Sequence, residues 1–544
     1  MKLQYKINAK ILLLALIGII MVISSYFMFV YEPLQIIVKK LLTLSPGSIY
    51  FYLWSVPPYK VYINLYLFTV TNQEKFMNGE EKLFVKEVGP YCYQEILYNT
   101  NATFNPNGTI TYIPVRQLKF IPERSVGDVK TDRVITPNIP LIGISAMLRD
   151  SSMFTNLGFT MVSNTANSKS FLNITIEEYL FGYDDLLVKL ANTALPTWIN
   201  FERFGILDRI FALDNASNVI TMTTDYKKEP PQNPMYKPEE IKRNFYVQEF
   251  NGSPGLHHWG YQDVEGNETN EANSRCNFIG GSYDGTVFPS DLTLNHEFNL
   301  YRRAFCRPVA SKAVKEVVVD GMEGVEFSAK EGFLDEPSVN PDNACYCKNG
   351  KDCLPKGIAS VSPCYYDIPI TISQPHFLNG APYLQKQVNG LSPNKSKHDL
   401  VFILHKRMGL PLKGNLRIQI NLDVGETKYN SKTTIFNNLH IPLCWLELNV
   451  DEIPLILKIA SRFAYDIGPV VQEILKFCLA IFGAAMISTS ALWLLQTSKI
   501  NETNSPLENL PFSRFSLRRS SEYKPIPVVT IPQEYFRPEL RISK

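Results

Sequence analysis

"ILLLALIGIIMVISSYFMFV", residues 11–30, carries no charged side chain, and only Ser24, Ser25 and Tyr26 bring polar groups to it. About 20 such residues cross a bilayer core as a helix. Lys2, Lys6 and Lys10 precede the run with no acid among them. Positive charge beside a first span favours a cytoplasmic N-terminus. The rival is a cleaved signal peptide, whose apolar stretch is shorter and ends at small residues. The length of the run favours the span.

A second uncharged run, "FCLAIFGAAMISTSALWLL", fills residues 477–495, with Lys476 before it and Lys499 after. A buried core helix would need apolar surroundings. Residues 496–544 instead hold Pro, Ser and the basic Arg514, Arg518 and Arg519, and read as a disordered cytoplasmic tail. The expected order is a cytoplasmic N-terminus (1–10), a span (11–30), an extracytoplasmic body (31–476), a span (477–495) and the tail (496–544).

The body carries marks of that compartment. Sequons begin at Asn101, Asn107, Asn173, Asn215, Asn251, Asn267 and Asn394, all within 31–476, while the match at Asn501 falls in the tail. Each motif is short and recurs by chance, but their confinement agrees with the topology. Of nine cysteines, eight lie in the body: Cys92, Cys276, Cys306, Cys345, Cys347, Cys353, Cys364 and Cys444; Cys478 lies in the second run. An even set in an oxidising compartment favours disulfides. The densest stretch, "NACYCKNGKDCLPKGIASVSPC" (343–364), contains no histidine. Its spacing, C-x-C-x5-C-x10-C, is not that of paired zinc ligands. In an extended chain Cys345 and Cys347 would face opposite ways and reach different partners.

The 544 residues carry a formal charge of only +2, with 19% charged and 45% hydrophobic side chains. That suits a folded core and leaves no basic footprint for nucleic acid. No repeat of solenoid or propeller length is present. "LRIQINL" (416–422) alternates: Leu416, Ile418, Ile420 and Leu422 against Arg417, Gln419 and Asn421, the pattern of a half-buried strand. "KLFVKEVGPYCYQEILY" and "TITYIPV" predict two more strands joined by an Asn/Pro/Gly turn. Between 140 and 195 the period becomes helical. Thr175 and Glu178 form a capping box, followed by Ile176, Tyr179, Leu180, Tyr183, Leu187 and Leu190 at helical spacing. The fold class is α+β, with a helical insertion in one large β-rich body.

Enzyme machinery is not legible. G-x-S-x-G, H-E-x-x-H, Walker A and G-x-G-x-x-G are all absent from the sequence. His257 and His258 are adjacent, and neighbours on a strand point apart, so they make a poor ligand pair. Asp184 and Asp185 read as a solvated helix face. The chain is therefore read as no enzyme and as needing no cofactor or catalytic metal.

Several segments resemble the class B scavenger receptors, among them the platelet fatty-acid translocase, a lysosomal integral membrane protein and insect members such as croquemort. They are "EVGPYCY" (87–93), "YLFGYDD" (179–185), "RFGIL" (203–207), "NPDNACYC" (340–347), "SQPHFLNGAP" (373–382), "NGLSPNKSKH" (389–398) and "LRIQINL", in this order between two spans. The pattern looks most like the insect members. The resemblance implies a β-barrel-like ectodomain pierced by a hydrophobic tunnel, with an apical helical bundle that the 140–195 insertion would supply. It implies three disulfides: Cys276–Cys345, Cys306–Cys364 and Cys347–Cys353. It implies binding of lipids or lipoprotein-like particles, followed by delivery to the membrane or endocytosis. The expected location is the plasma membrane, with an endosomal or lysosomal membrane as the alternative. A protein ligand at the apex and a homo-oligomer are both compatible with it.

The chain departs from the family's pattern. Members that bind polyanions carry several apical lysines; between Arg149 and Lys189 this sequence has only Lys169. Cys92 and Cys444 are extra to the three bridges. Both sit in strand-like segments, which raises a fourth disulfide between them, against the alternative of two buried thiols. "YKPI", with Tyr523 and Ile526, resembles a tyrosine-based endocytic signal, a pattern that also arises by chance.

Overall fold

The computed structural model describes residues 2–214, 218–224, 244–264, 270–347 and 353–503. The chain forms two compact units, residues 27–476 in one and the segments up to Tyr26 and from Phe477 in the other.

The first apolar run lies in a helix, Lys2–Tyr31, and the second in a helix, Gly468–Thr503. Stretches of 23 and 45 residues, Ala9–Tyr31 and Leu455–Lys499, are long and apolar enough to cross a membrane. The two helices touch where each has a glycine. A Cβ on Gly18 would lie 2.8 Å from the Gly483 carbonyl oxygen, and one on Gly483 would lie 2.8 Å from that of Gly18. Small residues permit such backbone approach between spans.

The larger unit is built on a 13-stranded sheet, antiparallel at every pairing. Its centre is strand Val61–Val70, with His440–Val450 on one side and Val85–Phe104 on the other. The end strands are Glu297–Leu300 and Val247–Phe250. One segment joins both ends. The Val247 N–H donates to the Ser282 carbonyl at 2.7 Å, and the Tyr283 N–H donates to that of Asn299 at 2.7 Å. The two end strands are thereby joined and the main path of the sheet closes on itself.

Alternation assigns the faces. Ile63, Leu65 and Leu67 sit opposite Leu448, Leu446 and Cys444, which sit opposite Leu416, Ile418 and Ile420. This apolar layer faces the interior. The other face carries Asn64, Glu447 and Arg417, joined by bonds of 3.0 Å (Asn64 to Glu447) and 2.8 Å (Arg417 to Glu447).

Strand Pro411–Asp423 differs from the half-buried strand its alternation predicts. Gln419 and Asn421 are as inaccessible as the apolar residues, both at 0% exposure. Strand Ile370–Ser373 pairs alongside, and the loop after it covers the outer face. The Gln419 amide donates to Asn421 at 2.7 Å, the Asn421 amide to the Ser373 hydroxyl at 3.1 Å, and the His376 N–H to Gln419 Oε1 at 2.6 Å. A buried amide is tolerated because its bonds are made.

The 140–195 region is helical as expected, with helices Ile139–Met147, Met153–Thr165, Ile176–Phe181 and Leu186–Ala194. The capping box forms: the Glu178 N–H donates to Thr175 Oγ1 at 3.2 Å, and the Thr175 N–H to Glu178 Oε2 at 2.9 Å. The single helix implied by the spacing from Ile176 to Leu190 does not. Gly182 adopts φ 136°, a conformation side chains disfavour. Asp185 then caps a new helix by accepting from the Leu187 N–H at 2.8 Å. So Asp185 is a buried cap and not part of a solvated acidic face.

Candidate functional site

The interior face of the sheet does not fill the barrel completely. An apolar cavity of about 670 Å³, its opening included, remains. The sheet contributes Ile370, Ile372, Ile418, Ile420 and Leu446; Ile139, Ile206 and Ile210 come from two helices.

One wall is the segment Tyr365–Ile368. Tyr366 and Asp367 both have left-handed backbones, φ 60° and 58°. Such residues cost about 1–3 kcal/mol each and persist only where their surroundings fix them. Here the Trp198 indole N–H donates to the Tyr366 carbonyl at 3.1 Å, and the Asp367 N–H to that of Ser362 at 3.0 Å. The Cys306–Cys364 disulfide ties down the preceding residue pair, with Cα atoms 5.9 Å apart. Beside Tyr366 stand Phe201, at 5.2 Å between ring centres, and Arg209, whose guanidinium lies 4.2 Å over the Phe201 ring.

A second apolar cavity of about 360 Å³ is lined by Tyr50, Trp54, Tyr59, Val287, Leu410 and Leu457, among others. Tyr50 lies on helix Ile49–Ser55, the second helix after the first apolar run, and Leu457 on helix Leu455–Arg462, which precedes the second run in sequence. Burial pushes the Tyr50 hydroxyl pKa above its usual range.

The remaining predicted positions fall as follows. Cys276–Cys345 and Cys347–Cys353 are bridged, with Cα separations of 5.9 and 4.5 Å. Cys345 and Cys347 do take different partners, but Cys345 sits in a 3₁₀ turn, Pro341–Tyr346, and not in an extended segment. Cys92 and Cys444 are free and buried, which corrects the fourth bridge. Cys92 pairs with Asn64 on one side of the central strand, and Cys444 with Leu67 on the other. The two thiols therefore belong to opposite sheet faces with a strand between them, well beyond disulfide reach. Burial drives the Cys444 thiol up to about 12, so it behaves as a small hydrophobe.

Asn101, Asn107, Asn173, Asn251 and Asn394 are exposed. Asn215, Asn267, Tyr523 and Ile526 lie outside the described residues. Lys169 is exposed and shares a shallow cleft with Lys432 and Glu74. Sequence reading missed the apolar character of helix Met153–Thr165, where Phe154 is 85% and Met161 71% exposed. Both were visible as large hydrophobics, but nothing local indicated which face the fold leaves open.

Among the described residues, two clusters have metal-like composition. Glu87, His376 and His398 converge on the covered outer face. His376 Nδ1 accepts the Ser392 N–H at 3.1 Å, and His398 Nδ1 accepts the Asn394 N–H at 3.0 Å. Each Nε2 therefore holds the proton of the neutral ring, and that of His376 meets Glu87 at 2.6 Å. A ligating Nε2 would require the proton on Nδ1, where both rings already receive one. In the other cluster, His258, Cys306 and Cys364, the sulfurs are joined to each other. His257 pairs with Asp263 at 2.8 Å and His258 with Arg303 at 2.7 Å, so the adjacent histidines go separate ways.

Residues 12–494 match the model of the CD36 family. Scavenger receptor class B member 1 of Bos taurus is 29% identical over 437 residues, covering 80% of this chain and 78% of the bovine one. The Mus musculus receptor of the same name is 28% identical over 438 residues, with the same coverage. Lysosome membrane protein 2 of Homo sapiens is 28% identical over 415 residues, 76% of this chain and 79% of the human one. With two membrane-type helices flanking a disulfide-bonded antiparallel barrel in sequence, and a family match over nearly the whole chain, this chain is a membrane protein of the CD36 family.

Proposed function

We propose that the protein is a scavenger receptor that binds lipids or lipoprotein-like particles and passes lipid through its barrel to the bilayer. The observation that carries this reading is the apolar cavity among Ile206, Ile210, Ile370, Ile372, Ile418 and Ile420. A lipid crossing water exposes apolar area at a cost of about 25 cal/mol per Å². A covered apolar path removes most of that cost without any covalent step. The second apolar cavity, beside Tyr50 and Leu457, supports a path that extends beyond the first. Both termini are then cytoplasmic, residues 31–476 extracytoplasmic and glycosylated, and the plasma membrane is the site of action. Ile420→Trp tests the path: lipid uptake should fall sharply while surface expression holds. Undiminished uptake with the cavity demonstrably filled would overturn the conduit.

A second reading has its own support. The exposed Phe154 and Met161 give the apical helix the apolar surface of a protein-binding face, and one relative is named for the lysosome membrane. On this reading the receptor traffics a protein partner to an endolysosomal membrane. Phe154→Asp would then abolish partner capture and leave lipid uptake intact.

A further inference from the structure

An open cleft of about 1770 Å³, its mouth included, lies beside the Cys276–Cys345 disulfide and has a mainly polar lining. Arg307 lines it and is only 3% exposed. The Tyr346 ring supports its guanidinium at 3.6 Å, and the Tyr346 hydroxyl donates to the Cys276 carbonyl. Nη2 donates to the Phe333 carbonyl at 3.2 Å and to Asn343 Oδ1 at 2.7 Å. Nε and Nη1 hold the other three N–H donors and make no bond among the described residues. Neither nitrogen is fully occluded, so both are reached from the cleft that Arg307 lines.

No carboxylate among the described residues neutralises this cation. Burial lowers its pKa, and only the Tyr346 phenol opposes the shift. A buried charge without a countercharge is costly. Elsewhere in the cleft the charges are matched: Lys330 meets Glu297 at 2.7 Å, and Glu331 meets Lys312 at 3.5 Å. A single negative charge therefore suits the site, and the second charge of a phosphate would face Glu297, Glu331 and Asp342. Asn295 and Asn299 are exposed on the walls. Their amides both donate and accept, which ring hydroxyls require. The half-buried Phe333 adds an apolar face.

We propose that this cleft binds a carboxylated sugar of uronic or sialic type, its carboxylate on the unbonded N–H groups of Arg307 and its hydroxyls on Asn295 and Asn299. The cleft shares no lining residue with the apolar cavity, so the failure of either reading leaves the other standing.

The test uses the full-length protein in nanodiscs and equilibrium binding of four probes: methyl glucuronoside, its methyl ester, the methyl glycoside of N-acetylneuraminate, and a capped triglutamate peptide. At least one sugar acid should bind about tenfold or more tighter than the ester, the worth of one charge-assisted hydrogen bond. It should also bind tighter than the peptide. Arg307→Met should remove the preference for the acid over the ester. Because Arg307 also holds the Phe333 and Asn343 segment, Asn299→Asp on the exposed wall gives a second reading. Its added negative charge should weaken the sugar acid by about threefold or more and the ester less. Equal affinity for acid and ester, or binding of no sugar, would overturn the proposal. Tighter binding of the peptide would overturn the sugar as ligand. A folded Arg307→Met that keeps the preference, or a folded Asn299→Asp with unchanged affinity for the acid, would overturn the assignment to this cleft.

Discussion

Acid should unfasten the loop that covers the outer sheet face, and His398 should account for much of the effect. Its ring is 4% exposed and stacks on His376 with ring centres 4.4 Å apart. Nδ1 accepts the Asn394 N–H. Burial, then the neighbouring His376, lower its pKa from 6.5 to about 4; Glu87 opposes the shift, and Arg417 and Lys397 add slightly to it. The unfolded chain therefore binds this proton more readily between those two values. Stability from this group is complete above pH 6.5 and falls as the pH drops towards 4. At pH 4.5 the loss is about 2.5 kcal/mol, and it approaches about 3 kcal/mol at lower pH. His398→Asn offers an amide oxygen for the Asn394 N–H and has no proton to gain. Urea midpoints of the full-length protein in detergent, followed from neutral pH to about pH 4.5, should show a lower neutral stability for the variant and a flatter acid limb. A variant that unfolds cooperatively yet keeps the whole acid loss would refute the assignment to His398.

Three further outcomes are expected. Gly182→Val should cost about 1–3 kcal/mol in unfolding free energy, because φ is 136° and a Cβ would press on Arg203 at 3.1 Å. Replacing both Cys306 and Cys364 by serine opens a 58-residue loop and should cost about 4 kcal/mol by chain entropy, with a matching drop in thermal midpoint. Alkylation under denaturing, non-reducing conditions followed by peptide mapping should recover Cys92 and Cys444 as free thiols; a Cys92–Cys444 peptide would contradict the strand register.

Much of the architecture is written locally. The apolar runs, the alternation at 416–422 and the Thr175–Glu178 box each depend on neighbours within a few residues, and each produces its element. What failed to be legible depends on distant segments. Gln419 and Asn421 look solvent-facing until the loop carrying His376 covers them. The helix through Ile176 and Leu190 looks continuous because apolar spacing survives its interruption at Gly182. Closure of the sheet rests on hydrogen bonds from a segment around Ser282 that has no strand pattern of its own. The cavity is the extreme case: residues near 139, 206, 304, 366, 420 and 446 meet only in the folded barrel. Arg209 reads as an ordinary helix-surface arginine until those walls surround it.

Photolabelling gives the most direct test that this interior holds lipid. A neutral long-chain ester bearing a diazirine on its tail would be equilibrated with the full-length protein in nanodiscs, irradiated, and its attachment sites mapped by peptide sequencing. Labels are predicted on the segments carrying Ile206 and Ile210, Ile368 to Ile372, and Ile418 to Ile420. Labels confined to the apolar runs at 11–30 and 477–495, with the barrel interior unmarked, would contradict the account.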